Sequence, residues 1–142
     1  MALNQKKIKV VSACLAGVHC RYDCEARPNQ DVIDMVARGE AIPVCPEQLG
    51  GLSTPRTQAE IQGDKVVDIK GKDVTREYQN GATEALNIAK LAGATEAILK
   101  SKSPMCGSGK IYDGTFKGKL TDGDGIFARL LKKAGIKIST RD

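Results

Sequence analysis

The 142-residue sequence predicts an α/β fold: a three-layer sandwich around a mostly parallel, Rossmann-like sheet, with a small β-hairpin beside it. Two observations support this prediction. Short β-branched runs alternate with amphipathic segments, as in parallel strands joined by right-handed crossovers. A chain of this length also fits one domain, 1–142, around a single core.

The first half of the chain predicts two strands, a helix and a hairpin. IKVVSA at 8–13 and AIPV at 41–44 are typical of buried strands. Between them, a helix is expected to start near Asn29 and to end at Gly39. Its apolar face would consist of Val32, Ile33, Met35 and Val36. AEIQ and KVVDI flank a Gly63–Asp64 turn, which predicts the hairpin.

The longest helix is predicted over 74–92, with Asp73 as its N-cap and Gly93 at its end. Its apolar residues recur at helical spacing: Val74, Tyr78, Ala82, Ala85, Ile88 and Ala89. EAILK, at 96–100, predicts the strand that follows this helix.

The C-terminal part of the chain predicts one more helix and one more strand. Asp124 is expected to cap the helix, which would end at Gly135. The predicted core face is Ile126, Phe127, Leu130, Leu131 and Ala134. IKIS, at 136–139, then predicts the last strand.

Charge and composition narrow the classes of function. The chain has 22 basic and 17 acidic residues, a net charge of +5. The basic residues are scattered, which favours a solvated surface over an RNA-binding face. No apolar run is long enough to span a membrane, and the one before Cys14 is too short for an export signal. Five cysteines without signs of export predict reduced thiols and a cytoplasmic location.

Three of the cysteines follow predicted parallel strands. Cys14 follows VVSA, Cys45 follows AIPV, and Cys106 lies shortly after AILK. Ligands of such sheets bind beyond the carboxyl ends of the strands, so we expect the three thiols to lie close together. One such cysteine would be interpreted as a small buried apolar residue. Three at equivalent positions, each opening a loop rich in Gly or Pro, favour a functional cluster.

The residues around these thiols narrow the choice of metal. Structural zinc sites usually have four ligands in paired C-x-x-C motifs, which are absent here, and His19 is the only histidine. The iron atoms of iron–sulfur clusters prefer thiolate ligands, and ordinary clusters have four protein ligands. Three protein ligands would therefore leave one iron open to substrate. Cys20 and Cys24 leave alternatives open, because either is a candidate fourth ligand or resolving thiol, or simply packs within its loop.

Four further residues are candidates for the chemistry of this site. Glu47, two residues after Cys45, is the best-placed group for proton transfer. Ser101 and Ser103 precede Cys106 and have hydroxyls suited to contact a substrate heteroatom, although serines in turns more often bond to the local backbone. Gly107 suits a backbone amide directed at a cluster sulfide or an anion.

Several motifs resemble a known family of small bacterial proteins. They are SACLAGVHCRYD, CPEQLGGLSTPR, GKDVT, LKSKSPMCGSGKIYDGTF and DGDG. In type and order they are similar to those of the thiouracil desulfidase-related family, whose members were long catalogued as uncharacterised. The resemblance covers about residues 10–138, nearly the whole chain.

The resemblance implies a 4Fe–4S cluster held by Cys14, Cys45 and Cys106, with one open iron that binds the sulfur of the substrate. Glu47 matches the proposed acid/base of the family, and Ser101 or Ser103 the substrate-positioning hydroxyl. The implied reaction converts the C=S group of a thiolated base or nucleoside, such as thiouracil, to C=O and releases sulfide.

Two residues depart from the pattern of the family. Cys24 stands where members usually carry Gly, and Met105 where a small residue is common. The first departure bears on the role of that loop, and the second on the size of the pocket. Two alternatives to a desulfidase also stay open at this point. One is a non-catalytic iron–sulfur or metal-binding protein that handles sulfur, and the other is a metal-free thiol redox enzyme that uses Cys20 and Cys24.

Overall fold

The computed structural model describes residues 7–142. The strands in this part of the chain are β1 (Ile8–Ser12), β2 (Ala41–Val44), β3 (Ala59–Gln62), β4 (Lys65–Asp68), β5 (Ala94–Lys100), β6 (Lys110–Tyr112), β7 (Leu120–Asp122) and β8 (Lys137–Arg141). The α-helices are α1 (Gln30–Ala37), α2 (Pro46–Leu49), α3 (Thr75–Leu91) and α4 (Ile126–Lys133). A 3₁₀ turn covers Ala13–Ala16. Within residues 7–142, every helix is too short or too polar to cross a bilayer.

The central sheet has four parallel strands in the order β2-β1-β5-β8. Val10 of β1 is in register with Ile42 of β2 on one side and with Ala97 of β5 on the other. Because these neighbouring strands run in the same direction, the loops after β1, β2 and β5 leave the sheet at one edge.

Side chains of the central strands alternate between two apolar layers. Val10 and Leu99 pack in the layer that contains α3 and α4, whereas Val11 and Ile98 pack in the layer that contains α1. Helices therefore cover both faces of the sheet. The predicted three-layer α/β fold is confirmed, including its small antiparallel hairpin.

Two antiparallel hairpins stand outside the central sheet. The predicted one pairs β3 with β4 around the Gly63–Asp64 turn. The second pairs β6 with β7, in a region where no strand was expected. Buried Glu60 of β3 joins the two, because its Oε1 accepts hydrogen bonds from the backbone N–H groups of Gly114 (2.9 Å) and Phe116 (3.1 Å).

The predicted start of α1 near Asn29 is confirmed: Asn29 is the N-cap, and its side chain accepts a hydrogen bond from the N–H of Val32. The predicted N-cap of α3, Asp73, was wrong by one residue. Val74 occupies the N-cap, and Asp73 accepts hydrogen bonds from the N–H and hydroxyl of Thr75 instead.

The prediction that Asp124 caps α4 was also wrong. Gly125 is the N-cap, and the Asp124 carboxylate accepts hydrogen bonds from the N–H of Gly109 (2.9 Å) and from Nζ of Lys132 (2.8 Å). Ala134, predicted to face the core, is exposed because α4 ends before it.

Helices α2 and α3 approach closely at two glycines. A Cβ atom added to Gly81 would lie 1.8 Å from the carbonyl oxygen of Pro46, and one added to Gly50 would lie 1.9 Å from that of Glu77. Only glycine permits this approach. It holds the start of α2, and therefore the residues just after β2, against the longest helix.

Candidate functional site

The three cysteines that follow strands line one cavity of about 390 Å³. Cys14 lies in the 3₁₀ turn after β1, Cys45 is the N-cap of α2 directly after β2, and Cys106 lies in the loop after β5. They lie close enough that the charge of Cys45 helps to raise the pKa of Cys14, and the charges of Cys14 and Cys45 help to raise that of Cys106. Parallel strand ends have thus brought together residues that are up to 92 positions apart.

The loop that carries Cys106 is held by Ser103. The Ser103 hydroxyl oxygen accepts hydrogen bonds from the N–H groups of Cys106 (2.7 Å) and Met105 (3.3 Å). The N–H of Gly107 donates to the Ser103 carbonyl at 2.9 Å, and a Cβ on Gly107 would lie 2.7 Å from that oxygen. The Gly107 amide is therefore used inside the loop rather than directed at the cavity, and the loop needs this residue for its lack of a side chain.

The three thiols differ in how readily they ionise. Burial raises the pKa of Cys14 and that of Cys106, although a hydrogen bond with the Ser12 hydroxyl lowers the latter in part. A hydrogen bond with the Cys20 thiol lowers the pKa of Cys45 to about 7. Metal ligation requires thiolates, so binding at this site would be coupled to loss of protons, most easily from Cys45.

The other two cysteines lie in different surroundings. Cys20 is 2% exposed, lines the same cavity, and has its carbonyl oxygen 3.7 Å from Sγ of Cys45. Cys24 is exposed at a positive φ of 63°, and its carbonyl accepts a hydrogen bond from Nδ1 of exposed His19. Cys20 therefore belongs to the wall of the site, while Cys24 does not.

No group of three or more His, Cys, Asp or Glu side chains among residues 7–142 is arranged to hold a single metal ion. Cys14, Cys45 and Cys106 line the wall of one cavity. A cluster binds each thiolate at a different iron atom, so cysteines from three loops around one cavity can serve as its ligands.

Glu47 also lines the cavity, and its carboxylate is held by two buried side chains. Arg56 donates to Oε2 through Nε at 2.9 Å and through Nη2, and the Tyr78 hydroxyl donates to Oε1 at 2.8 Å. The neighbouring carboxylate keeps the pKa of Arg56 above its usual value even though burial opposes this. Burial and Glu47 together raise the pKa of Tyr78, so its hydroxyl remains a donor.

Arg56 links Glu47 to the cysteine loops. Its guanidinium also donates to the carbonyl oxygen of Cys20 (2.8 Å) and to the Thr54 hydroxyl (2.9 Å). In the sequence, Arg56 is only the last letter of a motif and no role was predicted for it, whereas Tyr78 was predicted to lie in the core. The signal that could have found Tyr78 is its hydroxyl, since a buried phenol usually has a hydrogen-bond partner.

Ser101 and Ser103 both line the cavity, but each hydroxyl has a partner within the protein. Ser101 donates to Oδ1 of Asp142 at 2.6 Å. Ser103 accepts from the backbone, as described above, and retains its own hydroxyl proton for another acceptor.

Basic side chains complete the cavity wall: Arg21, Arg27, Lys100 and Lys102. Burial and the charge of Arg21 lower the pKa of Lys100. Thiols that can ionise, a partly buried carboxylate and several cations thus share one concave site. Such a site can hold an electron-rich metal group and move a proton beside it.

The fold and the site define an α/β protein with a thiol-lined cavity at the carboxyl edge of its parallel sheet. A family described as 2-thiouracil desulfurase matches residues 10–142. An uncharacterised protein of Bacillus subtilis (strain 168), YbbK, is 44% identical over 139 residues, which is 91% of this chain and 92% of the relative. A solved structure of the 4Fe–4S-dependent thiouracil desulfidase TudS is 43% identical, has a TM-score of 0.91, and aligns over 97% of this chain and 92% of its own.

The chain belongs to the 2-thiouracil desulfurase family. The family inferred from the motifs is therefore confirmed, and with it the class of enzyme, a thiouracil-type desulfidase.

Proposed function

We propose that this protein is a 4Fe–4S-dependent desulfidase that converts the C=S group of a thiolated base or nucleoside, such as thiouracil, to C=O. The observation that carries the proposal is the cavity itself, which Cys14, Cys45, Cys106 and Glu47 line together. Membership of the family and the likeness to TudS support the same reaction.

Cys14, Cys45 and Cys106 would hold the cluster. Their sulfurs suit iron, they come from three separate loops, and the nearby cations Arg21 and Lys100 would offset the negative charge of a thiolate-bound cluster. When bound, a cluster with three protein ligands supplies an iron with an open position that polarises the C=S group.

The residues of the chain supply the proton transfers. The reaction consumes one water molecule: its oxygen bonds to the carbon, the C–S bond breaks, and the sulfide takes both protons. Glu47 accepts the first proton from the attacking water and passes it to the departing sulfide. Ser101 and Ser103 have hydroxyls at the cavity wall that orient the heteroatoms of the base.

A small molecule suits the size of the site. The cavity of about 390 Å³ lies within the range of ordinary ligand pockets, roughly 300–1,000 Å³. A free base or nucleoside is therefore proposed as substrate rather than RNA. Five free cysteines also favour a reducing compartment, which we take to be the cytoplasm.

Anaerobic reconstitution with iron and sulfide tests the proposal. The wild-type protein should bind about four iron atoms, develop broad visible absorption, and release sulfide from thiouracil or another thiolated base in a panel. Cys14→Ser, Cys45→Ser and Cys106→Ser should each lose most of the iron. Cys24→Ser is the matched control and should bind as much as the wild type, because Cys24 is exposed and outside the cavity.

Glu47→Gln distinguishes a role of Glu47 in cluster binding from a role in proton transfer. We expect this variant to keep its iron and its visible absorption but to lose turnover, because the amide does not accept a proton from water. Loss of the cluster in Glu47→Gln would make this residue structural. A fully loaded wild type that releases no sulfide from any thiolated base would contradict the proposed activity.

A further inference from the structure

The hydrogen bonds to the Glu47 carboxylate are unevenly divided between its two oxygens. Arg56 donates two of them to Oε2, and Tyr78 donates one to Oε1. An ionised carboxylate has about four acceptor positions, two on each oxygen. Three are occupied by the protein, and the one that remains belongs to Oε1.

Both donors are held firmly. The side chain of Arg56 is 7% exposed, and its remaining N–H groups are bonded to Cys20, Ser53 and Thr54. Tyr78 is 3% exposed and packs in the core that α3 shares with the sheet. Neither side chain can turn away without leaving a buried polar group unpaired, which is costly. The orientation of the carboxylate is therefore fixed from two sides.

We propose that Arg56 and Tyr78 are positioning residues that hold Glu47 so that Oε1, and not Oε2, faces the cavity as the proton acceptor. This inference rests on the proposed function, in which Glu47 takes a proton from the attacking water. The proton moves from water to the free position of Oε1 and then to the departing sulfide, so that Glu47 ends the cycle ionised.

Tyr78→Phe tests the assignment with little change in shape. The ring stays in place and only the bond to Oε1 is lost. We expect kcat to fall about 10- to 100-fold, the effect of one hydrogen bond to a charged group, while KM changes less than about threefold. Iron content and visible absorption of the reconstituted variant should equal those of the wild type.

A double-mutant cycle shows whether Tyr78 acts through Glu47. In the Glu47→Gln background, adding Tyr78→Phe should cause no further loss of the residual rate. Tyr112→Phe is the additivity control, because Tyr112 borders the same cavity but its hydroxyl makes no hydrogen bond to Glu47. Its effect, whatever the size, should be the same in both backgrounds.

Arg56 is tested by comparing two substitutions. Arg56→Lys keeps a cation that donates to Oε2, whereas Arg56→Met keeps only the bulk of the side chain. We expect the lysine variant to recover at least tenfold more kcat than the methionine variant at equal iron content.

A similar cycle can be followed without the cluster. Urea unfolding of the apo protein should show that the midpoint shifts of Glu47→Met and Tyr78→Phe add up to more than the shift of the double variant, because methionine has no oxygen to accept the bond from Tyr78. Additive shifts, or a Tyr78→Phe enzyme within twofold of the wild-type kcat, would overturn the inference. If the loaded wild type has no activity, the proposed function fails, and the unfolding cycle still decides whether the bond holds Glu47.

Discussion

Helix propensity and packing predict opposite effects of Gly81→Ala on the stability of the protein. Gly81 lies within α3, where alanine is more favourable than glycine by about 1 kcal/mol. In this structure, however, the new Cβ would lie 1.8 Å from the Pro46 carbonyl oxygen and 2.9 Å from the N–H nitrogen of Gly50. Both are backbone atoms, so no side chain can rotate to relieve the clash.

The size of the effect follows from these distances. To reach even a tight contact of about 3 Å, the Pro46 carbonyl would have to move by about 1.2 Å, which a close-packed interior resists. Overpacking typically costs about 1–3 kcal/mol, and two rigid contacts place Gly81→Ala at the upper end. After subtracting the gain in propensity, we expect a net loss of about 2 kcal/mol, which corresponds to a decrease in Tm of roughly 6–10 °C.

Thermal and urea unfolding of the apo protein measure this loss, and iron content after reconstitution measures its effect on the site. Iron content should fall because Cys45 and Glu47 lie on either side of the displaced Pro46. Asn80→Ala is the control. The side chain of Asn80 is exposed on the same helix, so helix propensity alone should stabilise this variant by about 0.5 kcal/mol. A Gly81→Ala variant as stable as Asn80→Ala would refute the assigned contact between α2 and α3.

Two further predictions concern the loop of Cys106 and the start of α4. Gly107→Ala should lower iron content after reconstitution, because its Cβ would lie 2.7 Å from the Ser103 carbonyl oxygen, whereas Ser108→Ala should load normally. Asp124→Asn should lose less stability than the wild type when the pH falls below about 4, measured by urea unfolding at pH 3 and pH 6. Burial alone would raise the pKa of Asp124, but Lys132 and the Gly109 N–H outweigh burial and lower it. The ionised carboxylate therefore stabilises the folded protein above about pH 4, and this stabilisation is lost at lower pH as the native carboxylate is protonated.

The fold was predictable where burial leaves a periodic pattern. Strands β1, β2 and β5 place buried apolar residues on both faces of the sheet, and α3 repeats its small apolar residues at helical spacing. The β6–β7 hairpin has no such pattern, because its strands have three residues each and β7 is exposed throughout. Its attachment depends on Glu60, a buried carboxylate that bonds to backbone 54 and 56 residues away, and no local pattern indicates such a contact.

The gathering of the cysteines was also predictable, since it needs only the direction of the strands. The hydrogen-bond partners of Glu47 were not predictable from the sequence. Arg56 lies nine residues after it in an irregular loop, and Tyr78 lies 31 residues after it on a helix face that looks purely apolar in sequence. Topology determines which loops meet, but the hydrogen bonds between them depend on side-chain directions that only the packed structure defines.

The bonds of Arg56 and Tyr78 differ in a way that affects every variant of this site. Arg56 joins Glu47, Cys20 and the loop before β3, so its removal would disturb the cysteine loop and the carboxylate together. The Tyr78 hydroxyl donates to Glu47 alone. Loss of activity in an Arg56 variant therefore has two sources, which iron content separates. Loss of activity in Tyr78→Phe at full iron content has a single source, the missing bond to Glu47. For this reason Tyr78→Phe is the more specific test of how Glu47 is held.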